Sequence, residues 1–292
     1  MPVLQTGLAK SAAADYTIDQ SLRFNETDDP GLIKTFTGSY TNKFTLSLWF
    51  KIGNTGVTKT ILSSYKNAYQ RASLSINSSG TLNWWSKIGE AVTPTTLYGG
   101  VVTTRLFRDP SSWYHLVLTH DGSQASDSNK VRIWINGEEE TDFSTDNRAN
   151  LNSTNGSWIL NDQINRIGED ANSSSTARSD RRWDGYLAEF YALDDVYVTD
   201  ASDFGETDTA TGQWKPIDAS DLTFGTNGFY QKYSSTELAT SFTDSAERSV
   251  LTVTANGTAE LDTAIKKIGT ASAYWGSTSG GDSDSITIPS TD

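Results

Sequence analysis

Cysteine is absent from the 292 residues, methionine occurs once and histidine only twice. Without cysteine there is neither a disulfide framework nor a thiolate metal site, so a chain of this size has to be held together by its core alone. Basic residues are outnumbered by acidic ones, 23 to 36, which leaves a net charge of −13. Nucleic acid is therefore not an expected partner, because binding to a phosphate backbone needs clustered Lys and Arg. No apolar run approaches the length of a membrane-crossing helix, so no membrane insertion is expected. The first residues, Met1 to Lys10, lack a basic stretch followed by an apolar one, so no secretion signal is expected either. No helical period is sustained anywhere. What is present, 36 % apolar and 11 % aromatic residues, suffices to fill a core.

That apolar content is arranged with a period of two. Trp113 to His120 puts Tyr114, Leu116 and Leu118 on one face and His115, Val117 and Thr119 on the other, and Lys130 to Ile135 alternates in the same way. Asn136-Gly137 tolerates positive φ and suits a tight turn after the second strand. Phe44 to Ile52 carries apolar residues at every even position, with Thr45, Ser47, Trp49 and Lys51 between them. Shorter strands are expected over Thr60–Tyr65, Ala72–Ile76, Leu82–Trp85, Val101–Phe107, Trp158–Leu160, Ile164–Gly168 and Trp183–Tyr191. Many short strands without helices predict an all-β fold, a two-sheet antiparallel jelly-roll sandwich. Phe44, Leu46, Leu48, Phe50, Leu116, Leu118, Val131, Ile133 and Ile135 are expected to share its core.

Composition divides the chain into an N-terminal arm over residues 1–18, a jelly roll over 19–199, a linker or wrapping segment over 200–235, and a last part over 236–292. In that last part Ser272-Ala273-Tyr274-Trp275-Gly276 and Ile286-Thr287-Ile288 echo Ser21-Leu22-Arg23-Phe24-Asn25 and Leu32-Ile33, as if a second, incomplete domain begins there. A chain ending at Asp221 is accordingly expected to fold as well as the whole.

Asp109 to Val117, Asp121-Gly122-Ser123, Val131 to Gly137 and Trp183 to Glu189, in that order and spacing, resemble the laminin-G-like, concanavalin A-like jelly roll. Phe204 to Asp208, Thr211 to Trp214 and Gly225 to Tyr230 look like the version of that domain found in large, tail fibre-type virion proteins of marine bacteriophages. The resemblance implies a sandwich of two antiparallel sheets and a virion component made in the host cytoplasm. Its partners would be other virion proteins, itself as a homo-oligomer, and a glycan of the host surface. Two alternatives are a purely structural decoration or connector protein of the particle and a glycan hydrolase.

The residues bear on these alternatives. Relatives of this fold that cleave β-glucans carry Glu-x-Asp-x-x-Glu on one strand, with nucleophile and acid/base about 5 Å apart. Glu-x-Asp begins here at Glu26, Glu140, Glu206 and Glu260, but the last carboxylate is replaced by Gly31, Thr145, Thr211 and Ile265, so no enzyme activity is expected. His115 and His120 fall on opposite faces of one strand and cannot serve one metal or one base together. Asp28-Asp29, Asp194-Asp195 and Asp282 with Asp284 are the carboxylate pairs from which a calcium site would be drawn, with solvated loop charges as the competing assignment. Trp49, Arg132 and Trp134 form the candidate glycan site, an aromatic ring stacking on the sugar while Arg bonds its hydroxyls. Burial of the two indoles under a loop, an arm or a neighbour competes with this, since Trp is highly buried on average.

Overall fold

The computed structural model of the chain describes residues 16–28, 30–37, 42–88, 97–152, 159–160, 163–171, 173, 176–233 and 245, and beyond these the backbone of four short strands. Residues 1–15, Asp29, Asp282 and Asp284 lie outside the described residues, and with them most of the expected arm and part of the expected calcium pairs. The chain forms two compact units, Met1–Ala246 and Glu247–Asp292.

In chain order the first unit opens with β1 (Leu22–Phe24), β2 (Leu32–Thr35), β3 (Lys43–Ile52), β4 (Lys59–Asn67), β5 (Gln70–Ile76), β6 (Thr81–Ile88), β7 (Leu97–Leu106) and β8 (Tyr114–Asp121). It continues with β9 (Val131–Ile135), β10 (Glu138–Glu139), β11 (Phe143–Asp146), β12 (Ile164–Ile167), β13 (Asp170–Ala171), β14 (Ala177–Arg178) and β15 (Gly185–Asp194). The last three are β16 (Gly205–Thr207), β17 (Trp214–Pro216) and β18 (Phe229–Gln231). One seven-stranded sheet has the order β1-β15-β3-β8-β9-β10, with β18 also on β15, and the other has the order β11-β7-β6-β5-β4-β12-β2. All ladders between them are antiparallel. Sequence neighbours such as β8 and β9 are joined locally, whereas β3 lies between β8 and β15, strands remote in the chain.

The alternation in β3 decides the packing. Leu46 and Leu48 lie opposite Leu118 and Leu116, and these side chains meet the inner face of the second sheet, where Phe44 packs edge-on against Trp84 at 5.5 Å and Phe50 packs at a tilt against Phe107 at 5.6 Å. All nine expected core residues are in this core, none more than 1 % exposed. The Asn136-Gly137 turn has φ of 50° and 81°. Of the strand expected over Trp158–Leu160, the described residues Ile159 and Leu160 form a turn, with Leu160 at φ 60° and its N–H bonded to Asn165 Oδ1 at 3.1 Å. A side-chain acceptor thus takes the place of a ladder partner.

The segment after β15 packs against the first sheet. Val198, Ala201, Phe204, Ala219, Phe224 and Tyr230 cover Val117, Trp134, Tyr191 and Leu193 on the sheet's outer side, forming a second buried cluster. The segment ends in β18, which pairs with Phe190 to Ala192 of β15. Its approach is so close that a Cβ at Gly228 would meet the Phe224 and Ala192 carbonyls, which reserves that position for glycine. Asp221 therefore lies within the closed unit, which argues against the expectation that a chain ending there folds as well as the whole. The segment's few apolar residues are spread thinly, which gives it the composition of a linker, yet most of them pack on the sheet.

In the second unit β19 (Thr254–Asn256) pairs with β22 (Ser285–Thr287), and β20 (Glu260–Asp262) with β21 (Ser272–Tyr274). Leu251-Thr252-Val253, whose residue types also suit a strand, lies outside the described residues.

Leu48→Ala or Ile133→Ala is expected to cost about 2–5 kcal/mol in urea unfolding. A chain ending at Asp221 should melt well below the full chain, because it lacks Phe224, Phe229 and Tyr230, whereas one ending at Ala246 should keep the melting transition of the first unit.

Candidate functional site

The outer face of the first sheet is only partly covered. Strand pairing sets Ala188, Trp49 and His115 in one row across β15, β3 and β8, and Tyr186 beside Lys51 in the next. Trp113, two residues before His115, falls on the same side by alternation. Trp113 and Tyr186 are each 36 % exposed, with ring centres 6.2 Å apart. The Arg23 guanidinium lies 5.4 Å from the Tyr186 ring and donates to Asp184 Oδ1 at 2.6 Å. Beside these rings opens a cleft of about 410 Å³, lined by Trp49, Trp113, Ala188, Pro216 and the stretch from Tyr16 to Ser21. Pro216 belongs to the wrapping segment, so the cleft is where that segment stops covering the sheet.

Its inner wall is set by His115, buried between Trp49 at 4.8 Å and Trp214 at 6.0 Å. Trp214 Nε1–H donates to His115 Nδ1 at 2.9 Å. Indole nitrogen only donates, so the imidazole proton sits on Nε2 and points to Ser47 Oγ at 2.9 Å. A general base would need a lone pair directed at that hydroxyl; the polarity here is the reverse, and the pair does not form a nucleophile. Burial lowers the His115 pKa to about 3, which keeps the ring neutral.

The outer wall is clipped to the sheet by a carboxylate. Glu189 sits at φ 49° in a register shift of β15 and is 3 % exposed. Its Oε2 accepts from the hydroxyls of Tyr16 at 2.9 Å, Tyr191 at 2.7 Å and Tyr230 at 2.5 Å. Burial, with the Glu189 charge alongside, raises the Tyr16 pKa to about 12 and raises that of Tyr191 further. One buried charge thereby joins the N-terminal stretch, β15 and β18.

Of the three candidate glycan-binding residues, only Trp49 lines this cleft. Trp134 is 3 % exposed beneath the wrapping segment, so its ring is closed to a ligand, and Arg132 lies 4.7 Å over it. Arg132 is engaged by both Glu139 oxygens at 2.7 Å and by the Thr199 carbonyl at 2.8 Å. The structure therefore sets Trp49 in the cleft and Arg132 and Trp134 outside its lining. His115 and His120 do lie on opposite faces, His120 against Phe44 and Trp84 in the inner core. Glu26 pairs with Lys59 at 2.7 Å, Glu140 with Arg105, and Glu206 and Asp208 with Lys215 at 3.2 and 3.6 Å. Asp194 accepts the Asn227 N–H while Asp195 faces Lys43, and among the described residues no three carboxylates or histidines converge as a metal site. Trp113, Tyr186 and Trp214 were not singled out in the sequence. For Trp113 the signal is its parity with His115; nothing local marks the other two.

A family model described as the concanavalin A-like lectin/glucanases superfamily, in its Laminin_G_3 form, matches residues 25–200. No curated protein matches the sequence. Among solved structures, a heptameric SAP-like pentraxin from Limulus polyphemus is 16 % identical with a TM-score of 0.43, over 61 % of this chain and 77 % of its own. Domains LG4-5 of the mouse laminin α1 chain are 11 % identical with a TM-score of 0.44, over 76 % of this chain and 49 % of theirs. The CBM40 of a Ruminococcus gnavus IT-sialidase, bound to α2,3-sialyllactose, is 13 % identical with a TM-score of 0.34, over 55 % of this chain and 79 % of its own. The match thus spans about half of the laminin structure.

Burial holds His115 and His120 neutral down to about pH 3, while in the unfolded chain histidines protonate below about pH 6.5. The contribution to stability is complete above pH 6.5 and is lost progressively as the pH falls from there towards 3. Urea titrations should show stability already declining between about pH 6.5 and 5, the range of histidine protonation in the unfolded chain, with a shallower decline in His115→Gln. A flat profile across that range would contradict neutral burial.

Proposed function

The chain belongs to the concanavalin A-like lectin/glucanases superfamily, and on that basis we propose that it is a non-enzymatic recognition protein that binds a glycan in the cleft beside Trp49 and Trp113. The observation that carries this reading is the platform of Trp49, Trp113 and Tyr186, with a cleft of about 410 Å³ against it and Arg23 at its end. Indole and phenol rings stack on the apolar face of a sugar, and a guanidinium supplies donors for its hydroxyls. The reversed polarity of the Ser47–His115 bond and the basic partners of Glu26, Glu140, Glu206 and Asp208 support binding without hydrolysis.

The wider setting is a phage particle. The resemblance of Phe204 to Asp208, Thr211 to Trp214 and Gly225 to Tyr230 to virion proteins supports a tail or surface fibre component. In that role it is made in the host cytoplasm, associates with other virion proteins and with itself as a homo-oligomer, and recognises a host-surface glycan. Residues 236–292, which echo the first strands, then belong to a second domain of the same kind.

On an array of bacterial surface glycans the protein should bind a subset, and Trp49→Ala or Trp113→Ala should weaken that binding about tenfold or more, as loss of a buried aromatic anchor does. Laminarin-type β-glucans should remain uncleaved. Turnover that disappears on Glu140→Gln or Asp142→Asn would replace this reading with the hydrolase one.

A further inference from the structure

The outer face of the second sheet, on the opposite side of the sandwich from the Trp49 cleft, carries a different set of groups. Pairing places Ser73, Trp85 and Gly100 in one row across β5, β6 and β7, and Arg71, Lys87 and Tyr98 in the next. Trp84 points into the core, so by alternation Trp85 points out. Trp85 stands between two positions without bulk. At Gly100 φ is 140° and a Cβ would meet the Trp84 carbonyl, so no larger residue fills the place beside the indole.

The Arg71 guanidinium lies 5.3 Å over the Trp85 ring, and Tyr98, 45 % exposed, meets that ring edge-on at 5.7 Å. Stacking fixes the plane of the guanidinium and leaves its N–H edge unspent. Arg71 Nε is buried without a partner, and among the described residues no carboxylate is within ion-pair distance of Arg71. The charge of the buried Asp170 is felt by Arg71 as well as by Arg181 and Arg178, but the carboxylate is within ion-pair reach only of Arg181 at 3.4 Å and Arg178 at 3.8 Å among the described residues. The neighbouring cation is Lys87, whose Nζ donates to the Ala68 carbonyl at 2.5 Å and lies 5.2 Å over Tyr69. Burial, and after it the charge of Arg71, lowers the Lys87 pKa. In a chain of net charge −13, an arginine with a buried, unsatisfied donor beside a second cation is costly unless an anion completes it.

We propose that this face is a binding site for an acidic saccharide, a uronate whose carboxylate takes the Arg71 fork in two parallel hydrogen bonds while its ring lies on Tyr98 and Trp85. The fork matches a planar carboxylate, and the exposed Tyr98 ring, with the half-buried Trp85 beside it, matches the apolar face of a pyranose. A nucleic acid fits less well, because two cations in so acidic a chain cannot follow a phosphate backbone. The site shares no residue with the Trp49 cleft and stands or falls apart from it.

Calorimetric titration of the full chain with trigalacturonate and trimannuronate, with neutral galactotriose as control, tests the assignment. A uronate should bind and galactotriose should bind at least about tenfold more weakly. Arg71→Gln should weaken uronate binding by about tenfold to a hundredfold, the size of a lost charge-assisted pair. Arg71→Lys should recover only part of it, and Trp49→Ala should leave it unchanged. Arg71→Gln should stay folded, which its melting transition checks, because the Asp170 carboxylate keeps Arg178 and Arg181. Equal affinity for the neutral sugar, no binding of either uronate by the folded protein, or no effect of Arg71→Gln would overturn the proposal. Tighter binding of an oligothymidylate than of either uronate would overturn it in favour of a phosphate backbone.

Discussion

The two central strands, β3 and β8, have two faces to keep from water, and most of the molecule follows from how each is covered. On the inner side Leu46, Leu48, Leu116 and Leu118 are fully buried, and on the outer side Thr45, Ser47, His115, Val117 and Thr119 are no more than 1 % exposed. The second sheet covers the inner side. Residues 196–231 cover the outer side, and without them Val117, Trp134, Tyr191 and Leu193 would form one exposed apolar patch. Each such side chain contributes about 1.5–3 kcal/mol when buried, so the outer layer is a structural necessity. The polar groups caught beneath it are satisfied among themselves, Thr45 with Thr119 at 3.0 Å and Ser47 with His115 at 2.9 Å, which keeps their burial from being costly.

The cleft exists because that outer cover is incomplete. It ends at Trp214 and Pro216, with Trp214 bonded to His115, and beyond this edge the sheet shows Trp49, Trp113 and Tyr186. The Glu189 carboxylate, holding Tyr16, Tyr191 and Tyr230, sets the opposite wall by the same means, a buried acceptor satisfied by donors from three segments. Rigid walls around exposed rings are the arrangement in which a ligand binds without first ordering the protein.

Charge is distributed unevenly. Among the described residues Glu26, Glu140, Glu206 and Asp208 are each paired with a cation, whereas on the second sheet's outer side Arg71 stands beside Lys87, and Arg71, Arg178 and Arg181 act on one buried aspartate. The two outer faces of the sandwich thus differ in kind, one aromatic with the Arg23 guanidinium at the rim of its cleft, the other with stacked cations beside its rings.

The strands and the inner core were legible in the sequence, because period-two alternation is a local property: Phe44 to Ile52 and Trp113 to His120 each show which side chains go inward without reference to any other strand. The opposed faces of His115 and His120 followed from the same rule. Alternation also said which residues share the outward side, Trp49 and Trp134 among them, but not which parts of that side stay open. That was decided by residues 196–231, whose sparse apolar side chains dock one by one on strands far away in the chain, sealing Trp134 and sparing Trp49. It was decided likewise by cross-strand registers that set Trp85 beside Arg71 and Gly100, positions brought together by ladders and not by spacing. A face is a property of one strand and can be read from it; an exposed site is what remains after distant segments have packed, and only the tertiary structure carries that information.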